Sequence, residues 1–202
     1  MKILKIDSTN FKAAIAEAVV ILRAGGIVAH PTDTVWGLAA DSENPKAIAK
    51  IHALKKSNPA KPLLLNLPSK SYLNRLGAKL CQAHLLTKKF WPGNLSLLVR
   101  SKKNPAEKIG VRLPDHAISR ALARKFGAPL VTTSANLTGK KVASDAAAVA
   151  RIFPTLDLIL DDGSLSRNLA STLVDVSAGE IQLVRAGALD FKKILQTQSR
   201  QS

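Results

Sequence analysis

Lys55, Arg112 and Arg185 stand at the ends of predicted elements, and Thr32, Thr34, Thr132, Ser134, Asn136 and Ser171 stand at the ends of others. Fixed cations and small hydrogen-bonding side chains position anions and neutralise their charge. Phosphoryl or nucleotidyl transfer asks for little more than alignment and cations around the phosphates. An arginine inside an apolar strand is costly to bury unpaired, so Arg112 must reach the surface or meet an anion. Motifs for other chemistries are missing: there is no G-x-x-x-x-G-K-[ST], no G-x-G-x-x-G and no G-x-S-x-G. No cysteine or histidine set has metal spacing, and His52 reads as a half-buried helix residue. Cys81, the sole cysteine, reads as a packed thiol. Asp161-Asp162, the sole adjacent acidic pair, could touch Mg²⁺ but fits a turn better.

These residues need a scaffold, and Gly25–Leu38 shows its style. The stretch GGIVAHPTDTVWGL opens on a helix-ending glycine pair and continues in the short apolar run Ile27–Ala29. Pro31 then stops ladder pairing, Thr32-Asp33-Thr34 forms a polar elbow, and Val35–Leu38 resumes the apolar pattern. On local pattern alone the elbow is a turn whose Thr and Asp satisfy their own backbone. Helical periodicity covers Phe11–Leu22, with caps offered by Ser8-Thr9-Asn10, and again about Pro45–Lys56. Further helices are predicted at Ser69–Gly77, Lys79–Phe90, His116–Phe126 (capped by Asp115), Ser144–Phe153 and Phe191–Gln196. Strands are predicted at Leu63–Leu67, Leu95–Val99, Ile109–Leu113, Pro129–Thr133, Leu156–Leu160, Ser171–Val176 and Ile181–Val184.

Alternating strands and helices with late hairpins indicate an α/β fold around an open, mixed, twisted sheet. The 202 residues suit one domain. The charge is the unusual quantity: 30 Lys and Arg against 14 Asp and Glu give +16, a surplus that attracts polyanions. With no signal peptide and no apolar run long enough for a membrane span, the expected location is the cytoplasm.

Seven segments in order, PTDTVWGL, LKKSNPAKPL, FWPGNLSLLV, VRLP, TTSAN, STLVDV and LVRAG, resemble the threonylcarbamoyl-AMP synthase family, the YrdC-like domain, in its short bacterial form. The resemblance covers residues 8–190 and leaves 191–202 as a short helix and a polar tail. It implies a twisted sheet around a basic concave cavity. It implies an enzyme that joins L-threonine, bicarbonate and ATP into threonylcarbamoyl-AMP and pyrophosphate. A partner enzyme would then pass the threonylcarbamoyl group to adenosine 37 of tRNAs reading codons that start with A. The resemblance assigns ATP to Lys55, Ser134, Asn136 and Arg185, with Lys55 and Arg185 catalytic through charge neutralisation. It assigns threonine and its carbamate to Thr32, Arg112, Thr132 and Ser171. Mg²⁺ would travel with the nucleotide, with no tightly bound protein metal site.

The chain departs from the family pattern in one charged position. Where the family shows Lys-x-Arg, this sequence reads Lys55-Lys56-Ser57. Serine supplies neither permanent charge nor a planar donor fork, so Lys56 or Lys61 must compensate or binding weakens. Trp36, Asn94 and Asn66 replace the usual Tyr, Pro and frequent His. Two other functions stay open on these residues. One is binding of tRNA or double-stranded RNA with little synthase activity. The other is carbamoyl transfer, as in the related domain of hydrogenase-maturation proteins.

Overall fold

The computed structural model describes residues 1–78, 80–164 and 169–197. Its strands are β1 (Lys2–Lys5), β2 (Val28–His30), β3 (Gly37–Asp41), β4 (Leu64–Asn66), β5 (Gly77–Ala78), β6 (Leu95–Ser101), β7 (Lys108–Arg112), β8 (Leu130–Ser134), β9 (Leu158–Asp161), β10 (Thr172–Asp175) and β11 (Gln182–Arg185). The helices are α1 (Phe11–Arg23), α2 (Pro45–Lys55), α3 (Leu73–Leu76), α4 (Cys81–Phe90), α5 (Ala117–Phe126), α6 (Ala146–Ile152) and α7 (Phe191–Leu195). All strands join one open sheet in the order β1-β9-β2-β3-β8-β4-β7-β6-β10-β11, with β5 beside β6. Parallel pairs (β1·β9, β2·β9, β4·β7, β6·β10) mix with antiparallel ones.

Alternation along the strands sorts the core into three parts. Val28, Ala39 and Leu130 face α1 and α5, whose Ile15, Leu22, Ile118 and Leu122 bury against them. Their neighbours Ala29, Leu38, Ala40 and Val131 face the other way, onto α2 and α6. In the second half of the sheet, Leu97, Val111 and Val174 pack on that other side with Leu73, Leu86 and Ile194, from α3, α4 and α7. The face that α1 and α5 cover at one end is therefore left for polar side chains at the other.

Most predicted elements are present, with ends shifted by one to three residues. Several local expectations change. Asp7 rather than Ser8-Thr9-Asn10 organises the start of α1: its carboxylate accepts from the Thr9 and Asn10 amides at 2.7 and 3.1 Å, and Asn10 makes no side-chain cap. Asp115 does not cap α5; it pairs with Arg120 at 3.3 Å, and His116 holds the cap position. The expected helix Ser69–Gly77 is a 3₁₀ turn, Lys70–Tyr72, then α3, and Gly77 turns into the sheet opposite Ser101. His52 is buried rather than half-buried, and Cys81, at the start of α4, is exposed rather than packed. Lys79 and the tail from residue 198 lie outside the described residues.

Candidate active site

Strand register builds a row of side chains on the uncovered face. Gly37 pairs with Ser134, Thr132 with Leu64, and Asn66 with Arg112. The row continues through Arg112 to Ser96, Ser96 to Leu173, and Leu173 to Arg185. Paired residues share a face of a sheet, so six antiparallel and parallel registers bring residues 37 to 185 into one stripe. Above the stripe opens a cavity of about 230 Å³. Thr32, Lys55, Arg112, Thr132, Ser134, Asn136, Ser171 and Arg185 all line it, and so do Lys61, Ser57 and Asn66. Every site residue assigned above is therefore in one hollow except Lys56, which is exposed and caps α2 in a left-handed turn at φ 51°.

Each cation is held differently. Lys55, at the end of α2, is 6% exposed. Its ammonium donates to the Ser134 carbonyl, to the Asn136 carbonyl at 2.7 Å and to Asn136 Oδ1 at 3.3 Å. The loop answers, because the Thr138 amide and hydroxyl both donate to the Lys55 carbonyl at 3.0 Å. Burial, helped by the nearby charge of Lys61, lowers the Lys55 pKa to about 8. Ser134 Oγ donates to Asn136 Oδ1 at 2.5 Å, so Lys55 and this loop form a single polar unit.

Arg112 meets an anion, and the anion is internal. Its guanidinium pairs with Asp33 at 2.6 Å and donates to Thr34 Oγ1 at 2.9 Å and the Gly93 carbonyl at 3.1 Å. Burial pushes its pKa down, and Asp33 opposes that shift. The elbow thus supplies a counter-ion as well as a turn. Thr32 serves the turn directly: Oγ1 donates to the Val35 carbonyl at 2.7 Å and accepts from the Thr34 and Val35 amides at 3.1 and 3.2 Å. Its hydroxyl lines the basin but is already engaged.

Arg185 sits on the edge strand and donates to the Ser171 carbonyl at 2.9 Å and to Ser171 Oγ at 3.2 Å. Ser171 Oγ lies 2.7 Å from Ser96 Oγ. Gly187 makes this contact possible. A Cβ there would lie 2.3 Å from the Ala170 carbonyl oxygen and 2.5 Å from the Thr172 amide nitrogen. Only glycine lets the chain after β11 run against residues 170–172, where the Ala188 amide bonds Ala170 O at 2.8 Å.

The lining carries four cations and no carboxylate. Arg112 is neutralised from behind, so Lys55, Lys61 and Arg185 give the hollow its positive field. Ser57 does not; its Oγ is tied to His52 Nδ1 at 2.8 Å. Such a basin can hold a polyanion beside a small polar molecule. A metal held by protein carboxylates does not fit here. Asp161 and Asp162 accept from the Gly163 and Ser164 amides in a turn, at 3.0 Å each. Among the described residues no three His, Cys, Asp or Glu side chains converge. The sequence pointed to neither Thr138 nor the Asp33 ion pair.

The family model Sua5_yciO_yrdC, described as telomere recombination, matches residues 20–187. The chain is 34% identical over 197 residues to the threonylcarbamoyl-AMP synthase of Bacillus subtilis, covering 93% of this chain and 57% of that protein. It is 35% identical over 175 residues to the threonylcarbamoyl-AMP synthase of Chromohalobacter salexigens, covering 82% of this chain and 94% of that one. The chain thus spans little more than half of the first relative and nearly all of the second. A crystal structure of P. abyssi Sua5 complexed with L-threonine superposes with a TM-score of 0.86 at 29% identity, covering 96% of this chain and 59% of that one.

Proposed function

Because the chain belongs to the Sua5–YciO–YrdC family, we propose that it makes L-threonylcarbamoyl-AMP from L-threonine, bicarbonate and ATP. The convergence of Lys55, Ser134, Asn136 and Arg185 on one acid-free basin, beside Arg112, Thr132 and Ser171, carries this reading. The names of the relatives and the threonine complex of the P. abyssi protein support it.

The chemistry needs no protein nucleophile. The threonine amine attacks the carbon of CO₂ and loses a proton, giving an N-carboxylate; with bicarbonate as the source, water is the other product. A carbamate oxygen then attacks the α-phosphorus of ATP, and the bond to pyrophosphate breaks. Lys55, Lys61 and Arg185 offset the charge on the phosphates and on the leaving group. Ser134 and Asn136 fix the nucleotide by hydrogen bonds. Arg112, its charge balanced by Asp33, offers guanidinium N–H donors to the amino acid carboxylate while Asp33 holds the group in place. Thr132 and Ser171 flank that position. Thr32 keeps the elbow that carries Asp33. Mg²⁺ would come as the counter-ion of the nucleotide phosphates, since the lining offers it no carboxylate. Lys61 takes over from the arginine that Ser57 replaces.

The test is incubation with ATP, L-threonine and bicarbonate, with mass detection of the adenylate and assay of pyrophosphate. A threonine-dependent adenylate is expected. Its absence, or product formed with carbamoyl phosphate instead, would overturn the assignment. We also propose that the product passes to a cytoplasmic tRNA-modifying partner enzyme. Among the described residues no helix is long and apolar enough to cross a membrane. The +16 charge favours direct RNA contact, and tRNA affinity should fall steeply as salt rises. Binding indifferent to salt would remove that contact.

A further inference from the structure

Ser57 and His52 both line the basin, and the reaction above uses neither. Ser57 Oγ lies 2.8 Å from His52 Nδ1. Among the described residues the hydroxyl has one other acceptor within reach, the His52 carbonyl at 3.5 Å. That carbonyl already receives the Ser57 amide at 3.0 Å, in the turn that ends α2. The shorter contact therefore takes the hydroxyl proton, and Nδ1 is the bare nitrogen of a neutral ring. The turn does not account for the pair, since the amide closes it and any residue but proline would supply one. The spacing is that of a nucleophile and its base.

Other hydroxyls of the wall are engaged differently. Thr32 Oγ1 donates to the Val35 carbonyl at 2.7 Å, and Thr138 Oγ1 to the Lys55 carbonyl at 3.0 Å. Ser134 Oγ donates to Asn136 Oδ1 at 2.5 Å, and Ser171 Oγ lies 2.7 Å from Ser96 Oγ. A carbonyl, an amide or a second hydroxyl cannot take the proton of a hydroxyl that reacts. Imidazole can. Ser57 is half-buried and so open to the basin, whereas His52 is 5% exposed and stays in the wall. Lys55 and Lys61, two residues before Ser57 and four after it, stand in the same wall. Cations on both sides draw the phosphates of a nucleotide to this end of the basin.

We propose that Ser57 accepts the γ-phosphoryl group of ATP, with His52 as its general base, so that the protein phosphorylates itself. This activity rests on the basin being a nucleotide site. Ser57 Oγ attacks the γ-phosphorus and gives its proton to His52 Nδ1. The bond from that phosphorus to the β,γ-bridging oxygen breaks, and ADP leaves. Lys55 and Lys61 offset the charge on both fragments. The phosphoserine carries about −1.5 to −2 charges and lies where a triphosphate would. It satisfies the cations that ATP needs, so the phosphorylated chain is closed to nucleotide. An arginine at this position could not react in this way, because its guanidinium stays protonated.

The test incubates the full chain with Mg²⁺ and ATP labelled at the γ- or the α-phosphate, without threonine. Stoichiometric γ label on the peptide that contains Ser57 is expected, with no α label. The rate should not change with protein concentration, since the transfer is within a chain. Ser57→Ala should take up no label, and His52→Gln should take it up about a hundredfold more slowly. Labelled protein should bind ATP at least about tenfold more weakly in titration calorimetry. Label that persists in a folded Ser57→Ala, an α label, or a rate that rises with protein concentration would overturn the proposal. If Ser57→Ala does not fold, labelling of His52→Gln at the wild-type rate does the same. Wild type that does not bind ATP refutes the nucleotide reading of the basin, and this activity falls with it. Wild type that binds ATP and makes the adenylate yet takes up no label refutes this activity alone.

Discussion

Lys55 should make nucleotide affinity fall above pH 8. In the free protein its ammonium is buried among three oxygens, and its pKa is lowered to about 8 by burial and by Lys61. A triphosphate in the basin reverses the balance, because an anion nearby favours the charged form. Binding therefore holds the proton on Lys55. The free protein gives it up as pH rises through its own pKa, so the apparent Kd grows in proportion to the neutral fraction. Taking that pKa as about 8, Kd is about twice its low-pH value at pH 8 and about elevenfold higher at pH 9. Proton uptake per nucleotide bound should be about one half at pH 8 and about nine tenths at pH 9. Arginine keeps its proton across this range, so Arg185 adds no slope. The ATP phosphates are already ionised above about pH 7.5. Titration calorimetry in two buffers of different ionisation enthalpy measures affinity and proton uptake together. Lys55→Met should bind more weakly, with a flat profile. Wild-type affinity that is flat from pH 7.5 to 9.5, or a slope that survives in Lys55→Met, would refute the reasoning.

Gly187→Ala places a methyl 2.3 Å from a backbone oxygen that cannot rotate away. It should cost about 1–3 kcal/mol or more in a denaturant titration and should abolish pyrophosphate release by displacing Arg185; a wild-type unfolding midpoint would contradict this. Asp33→Asn leaves the 8%-exposed guanidinium of Arg112 without its counter-ion. A loss of about 3 kcal/mol in chemical unfolding is expected, and a loss under about 0.5 kcal/mol would show that the pair is dispensable. Lys61→Ala should raise the KM for ATP by about tenfold and Ser57→Arg should restore it, since one charge-assisted contact contributes about 1.5–3 kcal/mol. An unchanged KM in Lys61→Ala would show that Lys61 does not replace the missing arginine.

Local signals in the sequence were enough for elements such as α1, where Ala14, Ile15, Ala18, Val19 and Leu22 repeat at helical spacing and bury as that spacing demands. They could not supply register. Nothing near Thr132 or Arg185 says that the two share a face, because the row between them passes through four other strands. The segment resemblance bridged that gap by naming residues, but it did not give their present partners. Arg112 shows the difference. Its strand pattern posed a choice between solvent and an anion, and the counter-ion proved to be Asp33, two residues into an elbow that local pattern alone treats as a turn. Both descriptions of the elbow hold, since Thr32 closes the turn that presents Asp33.

The replacement of arginine by Ser57 follows the same physics. Lys56 and Lys61 look equivalent in a charge count. Lys56, however, takes the left-handed cap that ends α2 and is turned out to solvent. Lys61, past Pro59, comes back over the hollow closely enough to depress the pKa of Lys55. Chain direction after a helix cap decides which of two lysines can act. The same coupling means that the cation best placed to replace the arginine also lowers the proton affinity of its neighbour. Removing Lys61 should therefore move the pH at which nucleotide affinity begins to fall upward, as well as weaken binding.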